Sequence, residues 1–203
     1  MSGTDRLNVS RETIERLKLY EALLHKWNPR INLVSRASLV DSWARHIEDS
    51  MQIYGLAPHS VDHWVDLGSG GGFPGLVVAI MGMDQKSPAN VTLVESDTRK
   101  CAFLRSVIRE TGAPATVIND RIENTPPLQA DILSARALAD LSKLLSFADR
   151  HLAKSGMAIF PKGASWTNEL SQAQRAWSFS HRVVKSRTET GPVILTITGI
   201  ARA

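Results

Sequence analysis

Apolar positions along this chain keep two different periods, and the change from one to the other falls near Pro58 and His59. From Ser10 to Asn28, Thr13, Leu17, Tyr20, Leu24 and Trp27 recur at alternating four- and three-residue steps. That spacing lays side chains along one stripe of a helix, which must then pack on a larger body. Ile31 to Ile53 carries Ile31, Leu33, Val34, Leu39, Trp43, Ile47 and Met51, and predicts further short helices. Beyond Pro58, short β-rich runs alternate with helical ones. Strands are predicted at His63–Leu67, Val91–Glu95, Ala115–Ile118, Ile132–Ser134 and Gly156–Phe160, and helices at Pro74–Met81, Thr98–Thr111 and Ala139–Leu152. In the last helix Leu141, Leu144, Leu145 and Ala148 are expected to face inward. Such alternation indicates an α/β fold, a doubly wound, mostly parallel sheet of Rossmann-like type. Two final β-rich runs, His181–Arg187 and Val193–Ala201, flank Glu189-Thr190-Gly191-Pro192 and predict a terminal antiparallel hairpin.

With 203 residues, 43% of them hydrophobic, the chain can bury one substantial core and is short for two. The expected organisation is one domain over 1–203, with residues 1–57 as an N-terminal helical extension and 58–203 as the Rossmann-like core. Cys101 is the single cysteine, so a disulfide framework and a multi-thiolate metal site are excluded, and no metal is expected. The opening residues are polar and charged, unlike a signal peptide, and no apolar run approaches membrane-spanning length. A cytoplasmic, monomeric protein with no membrane partner is expected. Charge is unevenly spread: Arg150 to Ala203 holds eight Lys/Arg against two Asp/Glu, whereas Met51 to Asp149 holds eight against eleven. The basic end suits a polyanion such as nucleic acid, or is a solvated basic surface.

The stretch Val61 to Leu76, VDHWVDLGSGGGFPGL, carries the chemistry. An apolar strand ends in a glycine-dense turn that runs into a helix-starting proline, Pro74. Asp66 precedes Gly68, Gly70 and Gly72, and glycines in such a turn let the backbone approach a ligand without Cβ obstruction. A dinucleotide fingerprint starting at Gly68 would need its third glycine at Phe73, so a nicotinamide cofactor fits poorly. An acid leading the turn suits a ligand with an ammonium group and no pyrophosphate, which describes S-adenosylmethionine (SAM). Five βα units followed by an antiparallel pair is also the layout of SAM-dependent methyltransferases of the Rossmann-like class.

Ligands in open α/β sheets bind outside the carboxyl ends of the strands. Glu95 closes the second strand, where a carboxylate can accept both ribose hydroxyls. Asp120, Arg121 and Glu123 follow the third, within reach of an adenine edge, or form a plain charge cluster on a loop. The fourth ends in Ser134-Ala135-Arg136 and lacks the Asn/Asp-Pro-Pro-aromatic run typical of methyl transfer to an exocyclic amine. Cys101 lies in the helix after the second strand, away from where a pyrimidine-carbon methyltransferase needs its thiol. A ring nitrogen such as guanine N7 needs neither device, and in-line positioning then does most of the work. Arg136 and Lys162, the latter in Pro161-Lys162-Gly163, put two cations at the mouth of the site to hold phosphate, or guanine O6 in the case of Arg136.

Taken together, these motifs resemble the RsmG (GidB) family of bacterial 16S ribosomal RNA guanine-N7 methyltransferases, over nearly the whole length. The resemblance rests on Trp27-Asn28, Ile31-Asn32-Leu33, Ser35, Arg45-His46-Ile47 with Asp49-Ser50, and Asp66 through Gly75. It continues through Glu95-Ser96, Phe103-Leu104, Arg121 with Glu123, Ser134-Arg136-Ala137 and Lys162-Gly163. The family usually has Lys-Arg where this chain has Arg99-Lys100. The resemblance implies SAM as cofactor, with contacts from Gly68, Phe73, Glu95, Ile122, Glu123 and Arg136, to which the glycine turn adds Asp66, Gly70 and Gly72 as candidates. It implies an RNA-facing cleft at Asn32, Arg121, Arg136 and Lys162, with His46 at its border, and Arg136, Lys162 and Arg121 are the candidate catalytic residues. The implied partner is 16S ribosomal RNA or the small ribosomal subunit, methylated at one guanine of a decoding-region loop. The rival readings are a methyltransferase of another acceptor and a SAM- and RNA-binding module without turnover.

Overall fold

A computed structural model describes residues 9–203. Helix α1 (Arg11–Ile31) starts where the Ser10 hydroxyl accepts the Thr13 N–H at 3.1 Å, and it stops at Asn32, which takes a left-handed φ of 47°. Its buried stripe is Thr13, Leu17, Tyr20, Leu24 and Asn28. The stripe therefore ends one residue later than the sequence pattern places it, and Trp27 is half-buried beside it. Helix α2 (Arg36–Leu39), a π-helical turn at Trp43–Glu48 and helix α3 (Asp49–Tyr54) follow, which are the short helices expected there.

The sheet has seven strands: β1 (His63–Leu67), β2 (Asn90–Val94), β3 (Ala115–Ile118), β4 (Ala130–Ala135), β5 (Leu152–Lys162), β6 (Trp177–Lys185) and β7 (Val193–Arg202). Their order is β3-β2-β1-β4-β5-β7-β6, parallel from β3 to β5, with β7 antiparallel to both β5 and β6. Winding reverses between β1 and β4, so the crevice at their carboxyl ends is the topological switch point. Helices α4 (Gly75–Gln85) and α5 (Thr98–Thr111) cover one face, and α6 (Leu141–His151) and α7 (Trp166–Ala173) the other. Burial on both faces is what makes the central strands continuous apolar runs. Trp64 belongs to the core under α1, α4 and α5, and its neighbours Val65 and Leu67 to the core under α6.

Several boundaries differ from expectation, β6 starting at Trp177 and not at His181 among them, and one helix is added. Helix α6 begins at Leu141, because the Asp140 carboxylate accepts the Lys143 N–H at 3.0 Å and caps it there. Strand β5 starts at Leu152 and not at Gly156, through a register shift against β4 between Ala130 and Ile132. Helix α7 has no counterpart in the sequence reading, since its apolar stripe is only Trp166, Leu170 and Ala173, of which Ala173 alone is fully buried.

Candidate active site

Leaving β1, the chain crosses the switch point over Gly68 to Gly72 and enters α4. Gly68 and Gly70 take φ of 64° and 54°, a region costly for residues with a Cβ, so the turn requires glycine there. At Gly68 a Cβ would also lie 2.6 Å from Leu138 Cδ1. From the end of β2, Glu95 reaches this loop: its Oε2 accepts the Gly70 N–H at 2.8 Å and its Oε1 the Asp97 N–H at 2.8 Å.

These groups line a cleft of about 450 Å³, within the range of cofactor sites, that also takes in Arg121, Ile122, Glu123, Arg136 and Leu138. The turn carrying Ile122 is fixed from below by the end of α6. His151 Nε2 lies 3.2 Å from the Ile122 carbonyl, and Arg150 donates to the Thr125 carbonyl at 3.0 Å. Glu123 is exposed and pairs with Lys143 at 3.5 Å. A carboxylate with lone pairs to spare, an apolar wall at Ile122 and an unobstructed glycine backbone fit a nucleoside with an amino-acid tail.

Asp66, Gly72 and Phe73, also expected as cofactor contacts, stand behind the residues that line this cleft. Asp66 is completely buried; its Oδ1 accepts the Ser134 hydroxyl at 2.7 Å, and Ser134 in turn accepts the Trp64 indole N–H at 2.9 Å. Burial pushes the Asp66 carboxyl up to about 6. The Phe73 ring stacks on Tyr20 with centroids 5.0 Å apart and on His46 at 4.9 Å. Tyr20 donates its hydroxyl to the Gly71 carbonyl, which ties α1 to the glycine turn.

A second cavity, about 560 Å³, opens on the other side of Arg136 and Ala137, and both residues line both spaces. Its walls come from the N-terminal helices (Ser35, Arg45, His46, Asp49), the end of β5 and the β6–β7 turn (Thr188, Glu189). Arg136 sits over the Phe73 ring, 5.0 Å from its centroid, with Nη1 3.7 Å from Asp49 Oδ2 and 3.4 Å from the Arg45 carbonyl. Asp49 Oδ1 accepts the Thr188 hydroxyl at 3.1 Å, and Arg45 pairs with Glu189 at 2.6 Å. The helical extension and the terminal hairpin are thus joined across the cavity. His46 and Arg45 lie in the π-helical turn, a geometry that recurs at functional sites. His46 is 8% exposed, neither ring nitrogen has a partner among the described residues, and burial, then the Arg136 and Arg45 charges, lowers its pKa to about 4.

Two expected substrate residues stand in different places. Asn32 is exposed at the end of α1 and lines neither cavity. Lys162 lines the second cavity, as expected of a residue at the mouth, but is ion-paired there: its ammonium lies 2.5 Å from Glu169 Oε2 and donates to the Ala139 carbonyl at 3.1 Å. Arg121 is exposed and borders the first cleft, not the second. Glu169 and the hairpin turn were not among the sequence candidates. No motif marks Glu169, and the turn reaches the site only because β7 runs antiparallel beside β5, pairing Val193 with Lys162. Among the described residues no group of three or more His, Cys, Asp or Glu is placed to hold a metal, and no helix is long and apolar enough to cross a membrane.

A parallel sheet closed by an inserted antiparallel strand, with an acidic strand end bonded to a glycine turn at the switch point, defines a SAM-dependent methyltransferase of the Rossmann-like class. Solved structures share that fold: M. jannaschii TYW2 in complex with AdoMet has a TM-score of 0.58 over 78% of this chain and 76% of that one, at 14% identity. A methyltransferase from Geobacter sulfurreducens reaches 0.60 over 91% and 88%, at 16% identity. Within the class, the chain belongs to the GidB family, rRNA small subunit methyltransferase G, whose model matches residues 13–193. Ribosomal RNA small subunit methyltransferase G of Ruegeria pomeroyi is 59% identical over 196 residues, 97% of this chain and 96% of that protein. The protein of the same name from Rhodospirillum centenum is 51% identical over 193 residues, 95% and 87% of the two chains.

Proposed function

We propose that this protein transfers a methyl group from SAM to N7 of one guanine in 16S ribosomal RNA, acting in the cytoplasm as a monomeric, single methyltransferase domain. The observation that carries the reading is the wall formed by Arg136 and Ala137, with the Glu95–Gly70 cleft on one side and the larger open cavity on the other. When bound, SAM supplies a methyl group on a positively charged sulfur. Glu95 receives the ribose hydroxyls with the lone pairs its two backbone bonds leave free. The backbone at Ile122 and the apolar side of the cleft take the adenine, and Arg121 and Glu123 flank its edge.

The side chains around the second cavity favour a ring nitrogen as acceptor. An exocyclic amine needs a group to take its proton; His46, held at about 4, is too weak a base at neutral pH, and the Asp49 carboxylate is engaged by Arg136 and Thr188. Methylation at a pyrimidine carbon needs a thiolate. Cys101 is buried in α5, donates to the Glu95 carbonyl at 3.2 Å, and has its pKa raised by burial. N7 uses its own lone pair: the N–C bond forms as the C–S bond breaks, the electron pair stays on sulfur, and no proton is removed. Arg136 then serves to place the base, by O6 or by a neighbouring phosphate, with Lys185 and Arg187 exposed on the hairpin for further phosphates.

The test is methyl transfer from labelled SAM to small ribosomal subunits from cells lacking this gene, followed by identification of the labelled nucleotide. Label recovered as 7-methylguanosine, and lost in Arg136→Ala and Gly70→Asp, is the expected result. Label on another nucleotide overturns the acceptor atom, and SAM binding without any transfer overturns the enzyme reading in favour of a binding module.

A further inference from the structure

The loop Arg136–Asp140 between β4 and α6 is the partition between the two cavities, and its shape is not one the chain adopts freely. Ala137 has a φ of 51°, a left-handed conformation that costs a residue with a Cβ and persists only where the surroundings hold it. One hold is Leu138, packed where a Cβ on Gly68 would stand. The other comes from outside the loop. Lys162, at the end of β5, donates to the Ala139 carbonyl at 3.1 Å, and Glu169, on α7, accepts the Leu141 N–H at 3.0 Å through the Oε2 that lies 2.5 Å from the Lys162 ammonium. Ser165 donates to the other Glu169 oxygen at 3.3 Å. The Lys162 side chain is 8% exposed, so little of it is offered to an external phosphate.

We propose that Lys162 and Glu169 form a positioning pair that grips the far end of the partition loop and thereby sets where Arg136 and Ala137 stand between cofactor and acceptor. The inference rests on reading the two cavities as cofactor and acceptor sites, and it gives Lys162 a different task from a cation that binds RNA. A pair that acts as a unit has two signatures. Losing either member undoes the same arrangement, so the effects do not add. A residue that neutralises no phosphate leaves the salt dependence of RNA binding unchanged.

The experiment compares Lys162→Met, Glu169→Gln and the double variant with the unsubstituted protein, in three readouts. Amide hydrogen exchange of the 136–141 segment is expected to speed up on the order of 10-fold or more in each variant, with the Gly68–Gly72 segment unchanged. The kcat is expected to fall on the order of 10- to 100-fold in each single variant and no further in the double, since small misplacements at the reacting centre cost that much. The slope of log Kd for 16S ribosomal RNA against log salt is expected to stay at its unsubstituted value, while the Kd for S-adenosylhomocysteine rises to a similar extent in each variant, because the loop also lines the cofactor cleft. Unchanged exchange at 136–141 overturns the pair whatever the activities are. So does a slope lowered by about one contact in Lys162→Met together with full activity in Glu169→Gln. If Lys162→Met does not fold, the near-isosteric Glu169→Gln decides alone. Absence of transfer by the unsubstituted protein strikes the acceptor reading instead, and leaves the exchange result to decide the pair.

Discussion

The carboxylate of Glu95 accepts the backbone N–H of Gly70 at 2.8 Å, across the gap between the end of β2 and the crest of the loop that leaves β1. One side chain therefore joins the glycine turn to the wall of the candidate cofactor cleft. Glu95→Gln would set an amide NH2 against either the Gly70 or the Asp97 N–H, donor facing donor. Removing a charge-assisted acceptor costs about 1.5–3 kcal/mol, so S-adenosylhomocysteine is expected to bind on the order of 10- to 100-fold more weakly, measured by calorimetry. RNA affinity is expected to stay as it is.

Gly75, the first residue of α4, lies where a Cβ would be 2.4 Å from Leu93 Cδ2 and 2.8 Å from Asp66 Cβ. Helix α4 approaches β1 and β2 that closely only because this position has no side chain. Gly75→Ala is expected to destabilise by about 1–3 kcal/mol or more through overpacking. Gly163→Ala, where a Cβ meets nothing within 4 Å, is expected to stay within about 0.5 kcal/mol. Denaturant unfolding of the two variants side by side checks the contrast.

Asp66 carries a pH dependence of a definite sign. Burial holds its folded pKa at about 6, above the ordinary 3.8, so the native state binds that proton more tightly than the unfolded chain does. The contribution of Asp66 is most favourable below about pH 4 and is lost as pH rises through about 6, a change of about 3 kcal/mol. Subtracting the stability of Asp66→Asn from that of the unsubstituted protein, pH by pH, is expected to show this fall. A flat difference would contradict it.

His46 has the opposite behaviour, with a folded pKa near 4 set first by burial. Its ring is expected to stay neutral from pH 8 down to about 5, so its Cε1 proton resonance should not move over that range. Stability contributed by this neutral histidine is lost as pH falls from 6.5 toward 4, where the unfolded chain takes up the proton first.

Much of the fold was legible because its elements are bounded by residues with definite backbone preferences. Helix α5 runs over Thr98–Thr111 as read, since Asp97 caps its start and Gly112 ends it at a φ of 69°. Strands β1 and β3 likewise keep their read boundaries, His63–Leu67 and Ala115–Ile118. Helix α7 escaped because its contact with the core is short, and β5 because Lys154 and Ser155 extend it as exposed polar residues. In the site, Gly68, Gly70 and Glu95 were legible from their places at strand ends. The task of Lys162 was not: its charge is visible in the chain, but the carboxylate that engages it comes from a helix without a motif.

Arg136 and Ala137 border both cavities, and that shared border couples what the two sides hold. An occupant of one side that shifts Arg136 alters the surface met by an occupant of the other. Binding free energies form a closed cycle, so whatever factor the cofactor imposes on RNA affinity, RNA must impose on cofactor affinity. A protein that meets its RNA only at particular moments would then hold its methyl donor differently before and after that meeting.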